Sequence, residues 1–141
     1  MTDTPKILWV DDEAREKLQS LNHYWRKAGL QVDTATSFRE AENLLAKTSY
    51  SSVLMDVIFP FDEDRATLPR YGGLDLIGNI RKGVYQQGEN GTRSDIPVAV
   101  LSVLDQSQLA DKLKNLNVDY FYKLNLADSE TMKRLVEKLR Q

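Results

Sequence analysis

The chain has 141 residues, 41% of them hydrophobic and 28% charged, with a formal net charge of −2. That is enough apolar residue for one compact core, and no apolar run approaches the ~20 residues of a membrane-spanning helix. With no cysteine, disulfides and thiolate metal sites are excluded, and the lack of a basic block argues against direct nucleic-acid binding. The opening residues, Met1 to Lys6, lack the basic-then-apolar order of a signal peptide. These absences fit a cytoplasmic protein, and the length fits a single domain over 1–141.

Lys6 to Val10 reads as a first strand, ending at Asp11-Asp12-Glu13. Ala14 to Ala28 reads as a helix, since Leu18, Leu21 and Trp25 recur at helical spacing and Gly29 is a natural residue for its C-terminal turn. Gln31 to Thr36 is a second strand. Ser37 and Glu40 match a capping box that opens a helix with Ala41, Leu44 and Leu45 on one face. Ser51 to Val57 is a third strand, an apolar run that ends on the single carboxylate Asp56. A carboxylate inside such a run is costly to bury without a partner, so Asp56 belongs at the strand end, within reach of solvent or a cation.

A long loop over 59–72 follows, with Pro60, Pro69 and several charges. A loop of that length is usually functional. Gly73 to Lys82 returns to helical period. Gly83 to Asp95 is polar and rich in glycine, and is expected to be an exposed loop. Ile96 to Leu101 is a fourth strand ending at Ser102, Asp105 to Leu116 a helix, and Val118 to Tyr122 a fifth strand ending at Lys123. Asp128 to Arg140 is a closing helix with Met132, Leu135, Val136 and Leu139 turned inward. Trp9 and Trp25 are expected in the core, and His23, the one histidine, in solvent on a charged helix.

Strand and helix alternate five times, which argues for βαβ units and a doubly wound α/β domain with a parallel sheet. In such sheets, sites gather beyond the carboxyl ends of the strands. The strand ends carry Asp11 and Asp12, Asp56, Ser102 and Lys123. With the first and third strands adjacent, three carboxylates converge, and their mutual repulsion calls for a cation. Oxygen-only ligands favour Mg²⁺, which tolerates phosphate oxygens beside carboxylates. With Mg²⁺ and the Lys123 ammonium drawing charge from an incoming phosphoryl group, and the Ser102 hydroxyl adding a hydrogen bond, Asp56 becomes a credible nucleophile.

These residues resemble the receiver domain of two-component response regulators. The match lies in Val10-Asp11-Asp12, Leu54-Met55-Asp56 with Pro60 four residues on, Leu101-Ser102 and Tyr122-Lys123, and it runs over essentially the whole chain. The resemblance implies a flavodoxin-like (βα)5 fold with strand order 2-1-3-4-5. It also implies that Asp56 accepts a phosphoryl group from a sensor histidine kinase or a His-phosphotransfer protein. Asp11, Asp12 and Asp56 would then hold Mg²⁺ together with the backbone carbonyl of Ile58. Lys123 would pair with phosphoryl oxygens, and Ser102 and Tyr120 would act as the switch. A downstream protein target is implied, with no membrane partner. Homodimerisation through the last two helices and the fifth strand is compatible with it. No output domain is expected after the last helix.

Three features depart from the pattern: the long 59–72 loop, Val103 where a small residue is usual, and Leu124 where proline is usual. They support a rival, a pseudo-receiver that binds proteins without being phosphorylated. A third reading, a phosphatase with an aspartate nucleophile, needs a second acid, for which Asp62 or Asp64 is the candidate.

Overall fold

A computed structural model describes residues 5–11, 16, 23–56, 72–86, 90–102, 111, 113–122 and 129–140. Five strands, β1 (Lys6–Val10), β2 (Gln31–Ala35), β3 (Ser52–Asp56), β4 (Val98–Ser102) and β5 (Asp119–Tyr122), form one parallel sheet in the order β2-β1-β3-β4-β5. This is the doubly wound arrangement, and the strand order, that the sequence leads one to expect. The apolar runs behave accordingly: β3 and β4 are buried along their whole length, as strands covered on both faces must be.

Alternation along the strands divides the interior into two cores. Leu8, Val10, Val53, Met55, Val98 and Val100 face one side. There they meet Ala41 and Leu45 of the helix Phe38–Lys47, and Leu76, Ile77 and Ile80 of the helix Gly72–Arg81. Ile7, Trp9, Leu54, Ala99, Leu101 and Phe121 face the other. They pack on Trp25, in a helical stretch over 23–27, and on Met132, Leu135 and Leu139 of the helix Ser129–Leu139. Trp9 and Trp25 meet edge to face, with ring centroids 5.9 Å apart.

Hydrogen bonds fix the helix ends. Ser37 accepts the Glu40 N–H on its hydroxyl oxygen at 3.1 Å, as a capping box requires. The reciprocal bond differs: the Glu40 carboxylate takes the N–H of Thr36 at 2.8 Å. That use of the Thr36 amide explains why β2 ends at Ala35, one residue earlier than its β propensity suggests. Gly29 and Gly83, at φ of 77° and 79°, each close a helix with the paired bonds of a Schellman turn. At the first, the Gly29 and Leu30 amides donate to the Arg26 and Trp25 carbonyls; at the second, Gly83 and Val84 donate to Ile80 and Asn79. Arg81 ends its helix by donating to four backbone carbonyls, those of Leu116, Ser94, Ile96 and Asn117, at 2.7–2.9 Å. Burial lowers its pKa below the ordinary arginine value, an effect that Asp95 opposes.

The 83–95 connection corrects the expectation of an exposed loop. Tyr85 and Thr92 are buried, at 3% and 1% exposure. The phenol ring belongs to the first core, and its hydroxyl donates to Glu42 at 2.7 Å and accepts from the Asn79 amide at 3.2 Å. The Thr92 amide donates to the Leu45 carbonyl at 2.9 Å and its hydroxyl to the Thr48 carbonyl at 2.6 Å. Polar composition marked the segment as a surface loop, but its two anchors use their polar atoms to satisfy the end of the neighbouring helix. Of the helices expected at 14–28 and 105–116, the described residues (Glu16, 23–27, Asp111 and Leu113) are helical.

Candidate functional site at the carboxyl edge of the sheet

Asp11 follows β1 directly, and its amide continues the ladder by donating to the Ala35 carbonyl at 3.1 Å. Asp56 is the last residue of β3. The register pairs Val10 with Met55, so Asp11 and Asp56 stand one step beyond a matched pair, at the same level on adjacent strands. Adjacent strands are about 4.8 Å apart. The alternation that puts Trp9 and Leu54 on one face assigns Asp11 and Asp56 to that same face. Asp11 is fully buried and Asp56 is 5% exposed. Two carboxylates set so close, with so little water, form a concentrated patch of oxygen donors.

Ser102 ends β4, one residue past Leu101, the partner of Asp56 across the β3–β4 ladder, and it is fully buried. Asp11, Asp56 and Ser102 therefore lie along the carboxyl edge of three consecutive strands. Tyr120 sits farther back: it pairs with Val100 on β4 and packs, half-buried, against the first core. That is two residues short of the edge defined by the Ser102–Tyr122 pair. Lys123 directly follows Tyr122 in the chain but lies outside the described residues, as do Asp12, Ile58, Val103, Leu124 and the 57–71 segment with Asp62 and Asp64. Among the described residues no three acidic or histidine side chains gather to hold a metal. Asp11 and Asp56 are two of the three expected carboxylates. His23 is exposed, as expected of a solvated residue.

Sequence patterns gave no sign of three supports behind this edge. The Ser52 hydroxyl, buried at the start of β3, donates to the Leu139 carbonyl at 2.8 Å and so ties the strand bearing Asp56 to the end of the last helix. Tyr50 donates to Asp33 of β2 at 2.8 Å. Arg81 pins the connections into β4 and β5 from the opposite end of the sheet. Only Tyr50, an aromatic just ahead of an apolar run, carries even a faint sequence signal.

No family model matches the sequence, and no curated protein matches it. Solved structures do match, over nearly the full chain. A response regulator receiver protein from Pseudomonas putida superposes with a TM-score of 0.69 at 24% identity, covering 98% of this chain and 99% of the other. The receiver domain of a Francisella response regulator gives a TM-score of 0.67 at 23% identity, covering 97% and 99%. The Vibrio cholerae chemotaxis protein CheY4 gives 0.68 at 18%, also covering 97% and 99%. At these identities the likeness is one of fold: this chain has the fold of response regulator receiver domains.

Proposed function

We propose that this chain is a receiver that takes a phosphoryl group on Asp56 from a phosphohistidine, carried by a sensor kinase or a phosphotransfer protein, and passes the signal on to a downstream protein by changing shape. The observation that carries this reading is the level placement of Asp11 and Asp56 on adjacent strands, beside Ser102, in a receiver fold. In the transfer, a carboxylate oxygen of Asp56 attacks phosphorus. The phosphorus–nitrogen bond breaks, and its electron pair leaves with the imidazole.

An oxygen-only, nearly buried donor set fits a hard divalent cation, so Asp11, Asp12, Asp56 and the Ile58 carbonyl are the residues assigned to Mg²⁺. When bound, Mg²⁺ offsets the negative charge of the phosphoryl oxygens. Asp11 and Asp12 orient the acceptor by fixing the third carboxylate against them. Lys123 pairs its ammonium with a phosphoryl oxygen, and the Ser102 hydroxyl donates to another. Burial around Asp56 limits the approach of water, which sets how long the acyl phosphate survives hydrolysis. Drawing Ser102 toward the phosphoryl group shifts the population of the neighbouring β4–β5 region, including Tyr120. No helix among the described residues is long and apolar enough to cross a membrane, and the reading assigns the protein to the cytoplasm, with its kinase's phosphohistidine.

The test is incubation with acetyl phosphate or phosphoramidate and Mg²⁺, read by intact mass. A phosphate adduct that is absent in Asp56→Asn supports the receiver. A folded protein that forms no adduct overturns it in favour of a pseudo-receiver, and steady turnover of an exogenous phosphomonoester overturns it in favour of a phosphatase.

A further inference from the structure

The helices Phe38–Lys47 and Gly72–Arg81 lie side by side over the first core. Apolar packing of this kind is non-directional, and on its own it lets two helices slip past each other. Here directional bonds add to it. Tyr85, four residues past the end of the second helix, donates its hydroxyl proton to Glu42 on the first and accepts from Asn79 on the second. One buried oxygen thus bonds both helices at once. Further along the same connection, Thr92 takes up two carbonyls that the end of the first helix leaves unpaired, those of Leu45 and Thr48. Its hydroxyl oxygen also lies 3.5 Å from the Tyr50 amide, on the approach to β3. The connection is fastened beyond that point too, because Arg81 donates to the carbonyls of Ser94 and Ile96 just before β4.

We propose that the 83–95 connection is a strap that makes the 38–47 and 72–81 helices one mechanical unit, with the Tyr85 hydroxyl as the joint between Glu42 and Asn79. The second helix begins at Gly72, in the stretch of chain that follows Asp56. A displacement of that helix is then handed across the strap to the outer face of the first, which two apolar surfaces alone would not ensure. The proposal concerns mechanics and stands whether or not Asp56 is phosphorylated.

Native-state amide exchange on the full chain tests it. In the wild type, the amides of the two helices are expected to open together, with the same opening constant and the same denaturant dependence. Tyr85→Phe keeps the ring and removes only the joint. It is expected to raise the opening constant of the 38–47 helix by about tenfold, the scale of one net hydrogen bond, and to leave the 72–81 helix nearly unchanged. Glu42→Ala, which deletes the other half of the bond from a half-buried position, is expected to do the same and covers the case in which Tyr85→Phe folds poorly. Independent opening of the helices in the wild type would overturn the proposal. So would an equal rise in both helices in the two variants, which would make Tyr85 a contributor to overall stability only.

Discussion

The Ser52 hydroxyl donates to the Leu139 carbonyl across 87 residues of chain, at 2.8 Å and out of contact with water. Leu139 is the last residue of its helix, so its carbonyl has no partner within the helix. Ser52→Ala leaves that oxygen buried and unpaired, which costs about 1–3 kcal/mol. Urea denaturation should show the loss as a lower midpoint with an unchanged slope, and amide exchange should show fraying that begins at the end of the last helix.

Arg81 makes four charge-assisted bonds to carbonyls of two separate connections. Lysine keeps the charge but cannot present a planar fork to all four. Arg81→Lys is expected to cost about 2–4 kcal/mol. Chemical denaturation measures the loss, and a loss below 0.5 kcal/mol would show that water replaces the missing bonds.

Mg²⁺ should stabilise the folded chain through Asp11 and Asp56. At a Mg²⁺ concentration ten times its Kd, linkage adds about 1.4 kcal/mol, visible as a rise in Tm. Asp11→Asn and Asp56→Asn should each abolish most of that rise, whereas Ser102→Ala should leave it intact. A rise of equal size in all four proteins would assign the cation to another part of the surface.

Stability should fall steeply in alkali. Burial, followed by hydrogen bonds to Asp33 and Glu42, raises the pKa values of Tyr50 and Tyr85 well above the ordinary tyrosine value. The folded state therefore keeps both phenolic protons above pH ~10, where the unfolded chain releases them. With fewer protons on the unfolded side, stability decreases as pH rises through that range and is at its full value below it. Tyr50→Phe and Tyr85→Phe should each flatten the fall above pH ~10, as followed by the denaturation midpoint against pH.

Most of the sheet could be read from the chain because β1, β3 and β4 are unbroken apolar runs, each stopping at a polar residue. Parallel order then carries Asp56 and Ser102 to one edge, and the β1–β3 register levels Asp11 with Asp56. Gly29 and Ser37 were legible for the same reason, since each acts on its own neighbours in sequence. What escaped notice depends on pairs far apart in the chain. Thr92 reads as a loop residue until the end of the 38–47 helix lies beside it, and Tyr85 reads as solvated until Glu42 comes within reach. Glu40 bonds Thr36 where a standard capping box would bond Ser37, a choice of geometry that spacing alone does not reveal.

Trp9 and Trp25 are the only tryptophans in the chain, and they lie edge to face in the second core. Both are 1% exposed, and neither indole nitrogen has a hydrogen-bond partner. Trp9 is two residues upstream of Asp11 on the same strand. The protein thus carries its own optical gauge: a coupled pair of chromophores in a dry setting, whose near-ultraviolet dichroism and emission respond when the adjoining carboxylate shifts, with no dye attached.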